Sequence, residues 1–214
     1  PRSRGLGDVY KRQPLNSADG TAFIDEQTKL IEEIAGEFMG NNKKRGRVYS
    51  WVPLHLSDAT SSCAPRSFLI AWRKAAEHVP IPSQRALDHL GLLEGVRSAS
   101  TSRLSELYED YPWIKIALAA LRRQFVPIDK QQLLELWANQ EVLKSIKERS
   151  ADRPTDAPVS LIGGDELNAL LASMKKVAVM EERSNGKINV PDIFRVEANI
   201  LRKGGVAVPR RASS

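Results

Sequence analysis

Residues 165–190 read DELNALLASMKKVAVMEERSNGKINV, and this stretch decides the fold. Asp165 is a helix N-cap residue. After it, Leu167, Leu170, Leu171, Met174 and Val177 recur at helical spacing, which predicts an amphipathic helix with those five side chains buried. Two short segments follow, Val179–Arg183 and Lys187–Val190, separated by Ser184-Asn185-Gly186. Asn-Gly between short alternating segments predicts a β-hairpin, and a type I′ turn requires positive φ at both residues.

The same grammar extends upstream. Pro112 opens a helix through Ile114, Ile116, Ala117, Leu118 and Leu121, since proline is tolerated in a first helical turn. Val126-Pro127-Ile128 predicts one short strand. Asp129 is expected to cap a helix carrying Leu133, Leu134, Leu136 and Trp137, continuing through Asn139 to Arg149. Ser150 to Pro158 is polar and holds two prolines, so a loop is expected. The order helix, short strand, helix, helix, hairpin matches a winged helix over residues 112–191, with an insertion at about 138–163. Residues 192–214 are read as a C-terminal helix and a basic tail.

Residues 22–111 predict a helical bundle. Phe23, Leu30, Ile31, Ile34, Phe38 and Met39 form an apolar stripe over 22–39, ended by Gly40-Asn41-Asn42. Lys43 to Arg47 make a basic, solvated loop. Val48 to Leu56 is a buried, partly helical corner, in which His55 is expected to be a hydrogen-bonded structural residue; Asp58 is the carboxylate close to it in sequence. A helix opens near Pro65 with Ser62 as its cap and Phe68, Leu69, Trp72, Ala75 and Ala76 on its apolar stripe. His78 is placed in its last turn. Residues 84–111 are helical, but Gly91, Gly95 and the Ser98–Ser102 run divide them between one helix and two. The fold class is mainly α: a helical bundle followed by a winged-helix domain with one β-hairpin.

Charge and composition narrow the function. The 214 residues carry 32 Lys+Arg and 26 Asp+Glu, a formal charge of +6. Half of that excess comes from Arg2, Arg4, Lys11 and Arg12 against Asp8, and half from Arg195, Arg202, Lys203, Arg210 and Arg211 against Asp192 and Glu197. Residues 14–191 are neutral, so basicity is a weak argument for nucleic acid. One cysteine excludes an internal disulfide and a thiolate cluster, three histidines argue against a His-rich metal site, and a cytoplasmic setting is expected. No apolar run approaches the roughly 18 residues of a membrane span. Residues 3–13 resemble the translation of a transposon-type sequencing adapter joined to a gene fragment. Residues 1–13 are therefore expected to be an artefactual disordered leader, with the natural chain beginning upstream of Pro14.

No P-loop, dinucleotide turn, zincin pair or nucleophile elbow occurs, and no catalytic residue or metal ligand is expected. Ala64-Pro65-Arg66-Ser67-Phe68-Leu69 places an arginine in the first turn of a helix. This resembles the Pro-Arg element that opens a lid helix in AAA+ and STAND-type P-loop ATPases. Tyr49-Ser50-Trp51, Leu56-Ser57-Asp58, Glu94-Gly95-Val96-Arg97, Glu109 to Trp113 and Gly186 to Arg195 look like further landmarks of the region after the nucleotide-binding domain in large bacterial proteins of that sort. The resemblance covers most of residues 22–208. It implies a lid and winged-helix end whose Arg66 senses the γ-phosphate, a role suited to a permanently charged, fork-shaped guanidinium. ATP and Mg would be bound only by the missing upstream domain, which would be the partner of this segment, and the segment alone would be inactive.

Two alternatives stand beside it. A winged-helix DNA-binding module would use Lys175, Lys176, Arg202 and Lys203. Asp165 and Glu166 on the recognition helix and Glu181 and Glu182 on the wing oppose a polyanion, so nucleic acid is not the expected partner. A protein-interaction scaffold without nucleotide is the other.

Overall fold

A computed structural model describes residues 18–40, 42–151, 153, 157–158 and 165–204. The expected leader (1–13), part of the 138–163 insertion and the last ten residues of the basic tail lie outside the described residues. Within them the chain is mainly helical, with nine α-helices and four two-residue strands. No described helix is long and apolar enough to cross a membrane.

Helix α1 spans Ala18–Ala35. It stops at Gly36 and not at Gly40, because Gly36 adopts φ +88°, and its N–H closes the last turn on the Glu32 carbonyl at 2.8 Å. Phe38 and Met39 consequently leave the helix, and Phe38 bridges to Arg47. Leu30, expected on the buried stripe, is 56% exposed. A 3₁₀ turn at Lys43–Arg45 leads to α2, Val48–Leu56, which buries Val48, Val52 and Leu56 as the corner reading expects.

Helix α3 spans Pro65–Ala76, and α4 spans His89–Asp110. Ser62 does not cap α3; Ala64 holds that position, and the Ser62 N–H is bound by the Asp58 carboxylate. The inward face of α3 is Ser67, Ala71 and Ala75. Leu69 is 68% exposed. The cause lies in α4, which is one unbroken 22-residue helix capped by Asp88. Its glycines do not divide it. They let α3 come within backbone contact: a Cβ on Gly95 would stand 2.1 Å from the Ala71 carbonyl oxygen, and one on Gly91 would stand 2.8 Å from that of Ala75. Such an approach needs small residues on both sides, so α3 turns its small face inward and Leu69 outward. The serine run serves the same helix from another side. Ser100 is buried and accepts the Glu197 N–H at 3.1 Å, while Thr101 donates to the Glu197 carboxylate at 2.7 Å. The middle of α4 thus receives the C-terminal segment.

Helix α5, Pro112–Ala119, is followed by β1, Phe125–Val126, then α6, Lys130–Asn139, and α7, Val142–Arg149. The expected continuous helix over 129–149 is broken where Glu141 takes φ +50°, a left-handed residue that starts α7 afresh. Trp137 in α6 donates its indole N–H to the Ala117 carbonyl at 3.0 Å, locking α6 on α5. Helix α8, Glu166–Lys176, is capped by Asp165 through the Asn168 N–H and buries Leu170, Leu171 and Met174; Leu167 and Val177 are half-buried.

The hairpin is present: β2, Glu181–Glu182, pairs antiparallel with β3, Ile188–Asn189. Its turn is not type I′. Gly186 takes φ +75° while Asn185 does not take positive φ, and the Arg183 N–H reaches the Lys187 carbonyl at 2.9 Å across a three-residue loop. That is the bulged hairpin, in which only the glycine must be left-handed. Ile128 exchanges both backbone hydrogen bonds with Ile188, bringing the chain after β1 against the hairpin. From α5 the described elements run helix, strand, three helices, hairpin, one helix more than expected because the chain breaks at Glu141. The chain then forms α9, Asp192–Arg195, and a strand that the sequence did not suggest, β4, Leu201–Arg202, parallel to β1.

The α3–α4 seam predicts an inverted helix-propensity effect. Gly95→Ala should gain about 1 kcal/mol of intrinsic helix propensity yet lose a net 1–3 kcal/mol, about the cost of overpacking. Gly91→Ala should lose less. Urea denaturation of both variants measures this; a stabilised Gly95→Ala protein would contradict the seam.

Candidate functional site

Two places concentrate polar chemistry. The first begins at α9. Pro191 sets the entry, and Asp192 is the first residue of the helix. Three residues on, Arg195 lies on the same face. Its Nε donates to Asp192 Oδ1 at 2.7 Å, and its Nη1 donates to the Ile200 carbonyl at 2.9 Å. The chain turns at Asn199, which takes φ +55°, and returns as β4, so that Arg202 Nη1 also reaches Asp192 Oδ1, at 2.5 Å. From α2, His55 points Nε2 at Asp192 Oδ2, 3.4 Å away. The Asp192 side chain is only 4% exposed.

The His55 ring is fixed by its own helix. Nδ1 donates to the Trp51 carbonyl at 2.8 Å, and the ring stacks on the Trp51 indole with centroids 3.8 Å apart. With the proton on Nδ1, neutral His55 offers Asp192 only a lone pair, consistent with the longer 3.4 Å contact. Burial pushes the imidazole pKa below its ordinary 6.5; the Trp51 carbonyl and Asp192 oppose this, and Arg202 and Arg195 add to it. His55 is therefore the hydrogen-bonded residue expected, but its carboxylate is Asp192 and not Asp58. Asp58 instead caps its own turn, accepting from Thr60 and Ser62.

The second place is the start of α3. Arg66 is in the first turn, and its side chain is 74% exposed. One carboxylate holds it, Glu106 of α4, at 2.9 Å; Glu106 also takes Arg103 at 3.5 Å. On another face of α3, which presents Phe68 and Trp72, α1, α2 and α3 enclose an open groove of about 490 Å³ walled by Ile31, Tyr49, Pro53, Leu54, Phe68 and Trp72, and Arg66 is not among its lining residues. The Trp72 indole N–H is buried and finds no acceptor among the described residues.

The residues singled out for nucleic acid are dispersed. Lys175 pairs with Glu182, and the wing lysine Lys187 pairs with Asp129 at 3.2 Å. Arg202 is in the Asp192 cluster. Lys203 lies 5.6 Å from the Phe125 ring, and Lys176 is exposed. His78 lies just past the end of α3, hydrogen-bonded to Glu94 at 2.6 Å. Cys63 is half-buried, and burial, then Asp58, pushes its thiol up, away from nucleophilic use. Among the described residues no group of three or more His, Cys, Asp or Glu side chains is placed to hold a metal. The Asp192 cluster was not read from the sequence. Its only local signal is the Asp-x-x-Arg spacing; His55 and Arg202 join it through the fold.

No protein-family model matches the chain, and no curated protein or solved structure matches it.

Two outcomes follow from the cluster. Asp192→Asn should cost about 3–5 kcal/mol in chemical denaturation, the usual effect of removing one partner of a buried ion pair; a loss below 1 kcal/mol would mean the two arginines do not need it. His55 carries a depressed pKa in the folded state, so below about 6.5 the unfolded chain binds the proton more readily. Its contribution is present above that pH and is lost as pH falls toward the folded value. Thermal unfolding between pH 7.5 and 5 should therefore show a shallower acid loss in His55→Gln than in wild type.

Proposed function

We propose that this segment is the regulatory lid and winged-helix end of a P-loop ATPase, coupling nucleotide state to conformational change through Arg66. The observation that carries the reading is the pairing of two features on one helix. Arg66 stands in solvent at the first turn of α3, and the same helix borders an unfilled apolar groove. A helix with an apolar groove on one face and an exposed guanidinium at its first turn suits an element that meets a neighbouring domain, with the arginine reaching a phosphate at the boundary. The Glu106 pair is a weak tether: exposed ion pairs contribute about 0–1 kcal/mol, so Arg66 is free to exchange carboxylate for phosphate. The close α3–α4 seam makes the two helices a stiff lever for that exchange. ATP and Mg belong to the upstream domain in this reading, and the setting is cytoplasmic.

Duplex DNA is not the partner proposed. Lys175 and Lys187 are each matched by a carboxylate, and Arg202 is turned inward.

The test is Arg66→Ala in the chain that includes the upstream domain. Nucleotide turnover should fall roughly 10³-fold, as for other arginines on a γ-phosphate. The Tm should barely move, because surface substitutions stay within about 0.5 kcal/mol. Unchanged turnover would remove the phosphate-sensing role.

A further inference from the structure

The Asp192 cluster forms one wall of a cavity of about 520 Å³ that lies between α2, α4 and the C-terminal segment. That volume is within the usual range for small-molecule sites, roughly 300–1,000 Å³. Arg97, Arg195 and Arg202 line it against a single carboxylate, Asp192. Asp192 accepts one hydrogen bond from each of Arg195 and Arg202, and the Ile200 carbonyl takes a second donor of Arg195, so neither five-donor guanidinium is filled by these contacts. Arg202 Nε is buried and has no acceptor among the described residues. Arg97 is exposed at the rim and makes no ion pair among the described residues. Leu93, Val96 and Val196 supply apolar wall.

Two guanidinium groups sharing one buried carboxylate leave a positive charge in a poorly solvated place. That is costly unless a further anion balances it. Burial pushes the Arg202 pKa down; Asp192 and Glu181 oppose this, and Arg195 and Arg183 add to it. Guanidinium forks bind oxyanions in two-point contacts, so the anion that suits this cavity is an oxyanion.

We infer that this cavity is a binding site for a small organic anion, with one phosphate or carboxylate head held by Arg97, Arg195 and Arg202 and a short apolar body against Leu93 and Val96. The site is independent of the Arg66 reading, since it needs neither an upstream domain nor a nucleotide. A ligand there would touch α2, α4 and the C-terminal segment together and would favour the conformation in which the three are docked.

Isothermal titration of the 214-residue chain with hexyl phosphate, hexanoate and inorganic phosphate tests this. At least one hexyl probe should bind at one site per chain, and more tightly than inorganic phosphate; the preferred hexyl probe identifies the head group. Arg97→Gln, at an exposed position, should weaken that binding about tenfold while leaving the Tm of the free protein unchanged, the expected loss of one charge-assisted contact. Arg202→Lys, which keeps the charge but loses the fork, should weaken it as well. Arg66→Ala should leave it unaltered. Absence of binding by both hexyl probes, affinity unchanged in both Arg97→Gln and Arg202→Lys, or loss of binding in Arg66→Ala would each overturn the assignment. Inorganic phosphate binding as tightly as hexyl phosphate would overturn the apolar half of the site.

Discussion

The buried carboxylate of Asp192 is where the parts of this molecule meet. A charge in that position is unfavourable unless it is matched, and it is matched by Arg195 on its own short helix and Arg202 on β4, while His55 on α2 packs its ring edge against it. Helix α9 has four residues and would not persist on propensity alone. It is held because Ile193 and Phe194 enter the core while Asp192 gathers its partners. β4 follows from the same constraint. Arg202 can reach Asp192 only if the chain turns at Asn199 and runs back beside β1, which it does with the Leu201 and Lys203 N–H groups bonded to the carbonyls of Gln124 and Val126.

The helical half obeys a different constraint, the contact distance between α3 and α4. Glycine and alanine at that seam allow the two backbones to touch, and dispersion then acts over a long, close interface. The orientation of everything else on α3 is a consequence. Leu69 faces solvent, Phe68 and Trp72 face the groove, and Arg66 projects from the first turn. Glu106, on the opposing helix, holds the arginine loosely in the absence of another anion.

Helix α2 connects the two chemical surfaces. Its Tyr49, Pro53 and Leu54 border the apolar groove, and its Trp51 and His55 border the basic cavity. The nine-residue helix presents both faces at once. In the proposed reading this is how a domain docked at the groove would register at the Asp192 cluster, and how an anion in the cavity would bias the docking in return.

Local pattern determined a good deal of this protein. The 3.6-residue periodicity announced most of the helices, including α8 and its Asp165 cap, and the Asn-Gly pair announced the hairpin. These features depend on neighbours within a few residues, which a linear reading contains. The place of Arg66 in a first helical turn was legible for the same reason, since Pro65 marks the helix start locally. Where several local signals competed, tertiary structure chose. Gly91 and Gly95 look like breaks until α3 is laid against them, and Leu69 looks like core until the small face of α3 is claimed by those glycines. The end of α1 at Gly36, the break at Glu141 and the bulged form of the hairpin turn on single left-handed residues whose φ the surrounding packing selects. The Asp192 cluster lies furthest from any linear reading. Its three partners come from three elements, and only burial makes their meeting obligatory, because a carboxylate and two guanidinium groups removed from water must find one another in space.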